Sequence, residues 1–286
     1  MVLTNAMSVD VEDYFQVSAF NPHIDRADWD GITSRVERNI ESILALFSEH
    51  QIHATFFTLG WIAERHPDML RRIADAGHEI ASHGYEHLRV TTQTREQFRQ
   101  DITRTRKILE DVSGKTVKGF RAASFSINSS NLWALDELAE AGYQYSSSIY
   151  PVSHDHYGMP DAPRFPFHPE GSALLEIPIS TVEIMNKRYP CGGGGFFRLL
   201  PYKLSRLAIR HVNQKDKAPA LFYFHPWEID PEQPRQRGLP LKTRFRHYVN
   251  LSRMEGKIAR LLNDFQWGRM DRVFLDTGNR GSVLAL

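Results

Sequence analysis

A single cysteine, Cys191, stands in 286 residues. An internal disulfide and a cysteine-based zinc cluster are therefore excluded, and any metal must be held by histidines and carboxylates. An excess of one charge is also missing, with 35 Lys and Arg against 34 Asp and Glu. No global field draws such a chain to nucleic acid or to an anionic membrane. Long hydrophobic runs are absent, and nothing approaches the roughly 18 residues of a spanning helix. Residues 1–10 lack a basic start, and an acid soon breaks their apolar stretch. A signal peptide is not expected from such a pattern, and the expected compartment is the cytoplasm, with a membrane-peripheral position as the alternative. No repeat and no low-complexity tail is visible. Histidine is the type present in number, thirteen in all, and the question is where those thirteen sit.

Strand-like and helix-like segments alternate along the chain. Residues 6–10, 52–59, 78–82, 117–120 and 220–224 are short apolar or β-branched runs that predict strands. Residues 33–50, 67–76, 95–112, 132–141 and 255–265 carry apolar positions at helical spacing, and Gly77 and Gly142 stop two of them. Such alternation predicts βαβ units and a mainly parallel sheet with helices outside it. Two stretches interrupt it and read as loops. Residues 151–169 are rich in Pro, His and Asp, and residues 189–201 contain Gly192 to Gly195 in a row. The simplest organisation is one catalytic domain over 1–286, with special loops at about 151–201 and a C-terminal extension at about 228–286.

Four clusters carry candidate chemistry. His83 and His87 are four apart in Ser82-His83-Gly84-Tyr85-Glu86-His87. If the strand gives way to a helical turn there, both imidazoles project from one face and chelate one metal ion. Among thirteen histidines the spacing also arises by chance. Asp10, Glu12 and Asp13 crowd three carboxylates at the end of the first strand. They suit a solvated turn or a helix N-cap, or one joins the histidines while another serves as base on a metal-activated water. His225 ends the strand Phe222-Tyr223-Phe224 and is followed by Pro226. In a parallel barrel that end faces the active site, where a histidine serves as acid, though it could equally cap a buried strand. Arg121 lies at another strand end, placed to orient a carboxylate such as Asp10 or to form an ordinary ion pair.

Taken in order, these residues resemble the polysaccharide deacetylase family, also known as carbohydrate esterase family 4 or the NodB homology domain. The match runs over about 4–228 and takes in Ser8-Val9-Asp10-Val11-Glu12-Asp13, Ala54-Thr55-Phe56-Phe57, His83 and His87, Phe120-Arg121-Ala122-Ala123-Ser124-Phe125, Tyr145-Ser146-Ser147-Ser148 and His225. Five further segments extend it to about 265 and resemble the deacetylases of bacterial exosortase and exopolysaccharide loci. They are Asp10 to Phe15, His154-Asp155-His156-Tyr157-Gly158, the glycine run with Phe196-Phe197-Arg198, His225 to Asp230, and Gln233-Pro234-Arg235.

The resemblance implies an α/β fold, a distorted (β/α)7-type barrel. It implies a hydrolase that removes N-acetyl groups from amino sugars of a bacterial exopolysaccharide or its lipid-linked precursor. Carried over residue by residue, His83 and His87 bind a divalent metal, usually Zn2+ in the family. Glu12 is the better match for the metal carboxylate and Asp13 the reserve. Asp10 matches the base, Arg121 the arginine that holds it, and His225 the acid. A backbone N–H near Tyr145 to Ser148 would steady the oxyanion. Ala123 and Ser146 depart from the family's usual Pro and Asp. The implied partner is an N-acetylated polysaccharide or oligosaccharide, with membrane-bound glycan assembly machinery as a further candidate and nucleic acid excluded. The alternatives are a hydrolase of a small cyclic or formyl amide and a non-catalytic carbohydrate-binding relative.

Sugar rings stack on aromatics, so Tyr14, Tyr85 and Trp227, with Ser147, are the candidates for substrate contact, and core packing is the competing role for the aromatics. His154 and His156 line the cleft or are plain loop residues. The run Lys242 to His247 reads as a solvated basic face.

Overall fold

The computed structural model describes residues 3–155 and 157–276. His156 lies outside the described residues. Ten strands are present among them: β1 (Thr4–Val11), β2 (Thr55–Thr58), β3 (Glu79–Ser82), β4 (Gly119–Phe120), β5 (Tyr145–Ser146), β6 (Leu175–Glu176), β7 (Thr181–Ile184), β8 (Lys187–Pro190), β9 (Leu221–Phe224) and β10 (Gln266–Gly268). All except the antiparallel β7–β8 hairpin join one parallel sheet. Its order runs β1-β2-β3-β4-β5-β6, and β1 also pairs with β9 and β10. Between β6 and β9 the chain closes the gap with single contacts. The Leu221 N–H donates to Ser180 Oγ at 2.7 Å, and the Tyr223 N–H to the Gly192 carbonyl at 2.8 Å. The sheet thus curls into the expected distorted barrel with helices around it.

The strands alternate between two apolar groups, which is the barrel's signature. Met7, Val9 and Val11 of β1, Phe56 of β2, and Phe222 and Phe224 of β9 join the large cluster under the helices. Ala6, Phe57, Ala81, Leu221 and Tyr223, the residues between, form a separate inner cluster with Tyr145 and Met270. Ser8 and Asp10 fall on that inner side of β1, so their polar atoms need partners inside the barrel.

The regular helices follow the apolar spacing, at Val36–Glu49, Pro67–Asp75, Arg95–Ser113, Trp133–Glu140 and Met254–Asp264. Two expectations change. The glycine-rich loop at 189–201 is instead the end of β8 and the helix Gly194–Leu199. Glycine is there for space, since a Cβ on Gly192 would strike the Leu221 carbonyl and one on Gly193 the Tyr223 ring. The basic run belongs to the helix Leu241–Tyr248, and its His247 is buried. Lys242 and Arg246 of that helix hold Asp155.

Candidate metal centre and cleft

The residues singled out by the sequence come mostly from the C-terminal ends of the strands. Asp10 lies on β1 with Glu12 just beyond it. His83 follows β3, Arg121 follows β4, Ser147 follows β5 and His225 follows β9. That is the face on which loops of a parallel barrel converge. Asp10, Glu12, His83, His87, His225 and Trp227 line one cleft of about 380 Å³, together with Phe125, Tyr157 and Tyr223.

Glu12, His83 and His87 form a buried group whose ligand atoms all lie within 4.8 Å of one another. The His pair is not on a helical turn. Gly84 (φ 76°) and His87 (φ 54°) are left-handed, and this irregular turn brings the two rings to 5.2 Å. Each imidazole is anchored through its Nδ1. His83 Nδ1 bonds the Arg121 carbonyl at 2.8 Å, and His87 Nδ1 lies 3.4 Å from Ser18 Oγ. Anchoring one ring nitrogen leaves Nε2 to meet an ion. Burial lowers the pKa of both histidines, that of His87 well below 6.5, so their lone pairs stay open. Burial also pushes the Glu12 carboxyl up to about 7, against the lowering by His225. Its Oε2 is buried without a hydrogen-bond partner and faces His87 Nε2 at 3.1 Å. A buried carboxylate oxygen with nothing to accept, beside two neutral imidazoles, suits a divalent cation.

Asp13 is not brought to this group. Its Oδ1 accepts the Tyr14 N–H at 2.8 Å, and its Oδ2 accepts Ser34 Oγ and the Arg35 and Val36 N–H groups at 2.7, 2.7 and 3.1 Å. Asp13 therefore caps the helix Val36–Glu49 from a loop some twenty residues upstream.

Arg121 is fully buried and spends its donors on the inner face. Nη1 bonds Asp10 Oδ1 at 2.5 Å and Ser8 Oγ at 3.0 Å, while Nε and Nη2 bond the Ser147 carbonyl and Oγ. Its guanidinium lies 4.0 Å from the centre of the Phe57 ring. Ser147 thus braces Arg121, and its N–H already donates to the Phe120 carbonyl. The Tyr145 and Ser148 N–H groups are likewise committed, to the Lys118 carbonyl and to Glu176 Oε1. None of these three faces the cleft as an oxyanion donor.

His225 Nε2 points at Glu12 Oε1 (3.2 Å), and its Nδ1 meets Glu228 Oε1 (2.7 Å). Burial would lower its pKa, but Glu12 and Glu228 outweigh burial and raise it to about 9. Glu228 is itself held by Arg198 at 2.6 Å, and Arg198 donates onward to the carbonyls of Arg246, His247 and Val249. Trp227 stacks on His225 and on His247, and its Nε1 donates to Glu12 at 3.3 Å. The roles of Glu228 and Arg198 escape the sequence reading. The one available signal is the i, i+3 spacing of His225 and Glu228, which matches a capping box.

The remaining aromatic candidates lie elsewhere. Tyr14 is buried, with its hydroxyl toward the Thr33 carbonyl. Tyr85 sits under Arg104 on the helix Arg95–Ser113, and its hydroxyl bonds Glu64, away from the cleft.

Residues 29–146 match a family described as "Polysaccharide deacetylase", and residues 147–275 match a "Domain of unknown function (DUF3473)". The chain is similar to a peptidoglycan-N-acetylglucosamine deacetylase of Bacillus cereus, 34% identical over 96 residues, which are 33% of this chain and 35% of that protein. It is similar to a peptidoglycan deacetylase of Helicobacter pylori, 30% identical over 113 residues, 40% of this chain and 38% of that one. The matched stretch thus spans little more than a third of these relatives. A solved structure from Mycobacterium smegmatis, provisionally assigned to the polysaccharide deacetylases, shares the fold at a TM-score of 0.63 and 20% identity. It covers 98% of this chain and 92% of its own.

Proposed function

The chain belongs to the polysaccharide deacetylase family, and on that premise we propose that it is a metal-dependent hydrolase of N-acetyl groups on amino sugars. The substrate is an exopolysaccharide or its lipid-linked precursor, and the catalytic unit is one domain. The observation that carries this reading is the convergence of three arrangements on one cleft: Glu12 with His83 and His87, Asp10 with Arg121, and His225 with Glu228.

Glu12, His83 and His87 hold the metal, Zn2+ by the family resemblance. Such a cation supplies a Lewis acid for the amide carbonyl and lowers the pKa of water. Asp10 accepts the proton of the attacking water. Its Oδ1 is fixed by Arg121, which leaves the other oxygen for that task. Arg121, itself braced by Ser147, keeps Asp10 aimed, as a positioning residue. His225 donates a proton to the departing amine. Glu228 fixes the ring through Nδ1, so that Nε2 is the nitrogen presented to the cleft. Trp227 forms the wall beneath that imidazole and keeps it from rotating.

Acetate release from a series of defined N-acetylhexosamine oligomers tests the reading. Wild-type protein should release acetate from at least one class, and Asp10→Asn and His225→Ala should each lose at least about a hundredfold in kcat, in line with the usual weight of acid–base catalysis. Full turnover by either variant, or no acetate from any oligomer, would overturn it.

A further inference from the structure

We propose that the face built from the β7–β8 hairpin and the helix Tyr202–Gln214 docks onto an anionic phospholipid surface. This face has no residue in the catalytic cleft.

Its tip is Met185, 94% exposed, followed by Ile184 and Tyr189 on the hairpin and by Leu204 and Leu207 on the helix, all exposed. Between hairpin and helix lies an apolar groove of about 430 Å³, floored by Val182, Phe197 and Ala208. Exposed apolar side chains gathered on one side of a molecule mark an interaction surface, whereas scattered ones do not. The turn adds a second argument. Ile184 pairs with Lys187, so Met185 and Asn186 are the two central residues, and both are left-handed, with φ of 51° and 59°. Such a turn favours Asn, Asp or Gly at both positions. Asn186 obeys that rule. Met185 takes backbone strain and water exposure together, which neither the turn nor the core calls for.

Charge selects the occupant. Residues 182–211 hold six basic residues and one acid, Glu183, in a chain whose totals are 35 and 34. Arg198 is committed to Glu228, Arg206 to Asp264 and Arg188 to Glu183. Lys187 adjoins the turn, and Lys203 and Arg210 stand four residues before and three after Leu207 on the helix, each without an acidic ion-pair partner among the described residues. A second copy docked face to face would set these cations against their own kind. An anionic headgroup layer with acyl chains beneath meets both requirements, since the cations stay at headgroup level while Met185, Ile184, Leu204 and Leu207 enter below.

Vesicle flotation of the full chain tests this, with phosphatidylcholine vesicles against vesicles containing phosphatidylglycerol. The protein should float with the anionic vesicles, and added salt should release it. Met185→Glu with Leu207→Glu should lower partitioning at least about tenfold, because charge enters the buried layer. The melting temperature and the acetate release from soluble oligomers should stay unchanged. Absence of wild-type binding to the anionic vesicles would overturn the proposal, as would equal binding by the double variant. A wild-type dimer in sedimentation that the double variant abolishes, without vesicle binding, would give the face to a second copy instead.

Discussion

Replacing Asp13 by asparagine separates the two acids that stand side by side at the end of β1. The Asp13 carboxylate accepts four hydrogen bonds, one at Oδ1 and three at Oδ2. An asparagine that keeps its oxygen at the Oδ2 position turns its amide nitrogen toward the Tyr14 N–H, donor against donor, in a buried site. The lost bond to a charged acceptor and the weakening of the other three together cost about 3 kcal/mol. For a chain of this size that lowers the melting temperature by roughly 6–12 °C. Asp13→Ala strands all four donors and should cost more. The metal should be untouched, because Asp13 lies outside the Glu12–His83–His87 group. The assays are calorimetric melting and elemental analysis of dialysed protein. An Asp13→Asn protein that melts like wild type but has lost its metal would return Asp13 to the ligand set.

Three further predictions follow from the surroundings of the cleft. Gly194→Ala drives a methyl group into the Glu228 carboxylate, which Arg198 and His225 hold in place, and should cost about 1–3 kcal/mol. Gly195→Ala meets nothing within 4 Å and should be neutral or slightly stabilising. Equal denaturant midpoints for the two variants would contradict the packing. Arg121→Lys keeps the charge but loses the fork that spans Asp10, Ser8 and Ser147. It should lower kcat at least about tenfold with little change in metal content, and wild-type kcat would show that Asp10 needs no such brace. His78 is held neutral by burial, its pKa lowered from 6.5 to about 4, and its Nδ1 accepts the Ala54 N–H at 3.0 Å. Between those two pKa values the unfolded chain takes up a proton that the folded chain refuses. Stability should therefore fall by about 3 kcal/mol as pH drops from 6.5 toward 4. His78→Asn, whose oxygen can stand near the Nδ1 position, should flatten that slope in urea titrations at several pH values, and an unchanged slope would exclude His78 as its source.

What the chain disclosed of itself followed from period and position. The buried run of β1 and the helical spacing in 95–112 predict a parallel α/β fold, and the residues at the ends of those runs meet in the cleft. The parts that stayed hidden depend on long-range partners or on very short elements. β5 and β6 have two residues each and β10 has three, too few to show a period. Nothing local distinguishes Asp13 from Glu12, because the donors that claim Asp13 come from Ser34, Arg35 and Val36. Glu228 is one acid among many until Arg198, thirty residues away, is seen against it. Tyr14 and Tyr85 resembled cleft aromatics by sequence position, yet the chain turns one into the core and the other onto Arg104. The His83–His87 spacing pointed to a helical turn. Gly84 and the left-handed His87 bring the rings together without one.

The proposed chemistry requires an ion, which Glu12, His83 and His87 would hold. Metal content and acetate release measured on the same preparation of Glu12→Gln test it most directly. About one divalent ion is expected per wild-type chain. In the variant, affinity should fall by more than the 10–100-fold typical of an outer-shell change, and turnover should be lost with the ion. A Glu12→Gln protein that keeps both its ion and its turnover would exclude Glu12 from the metal site.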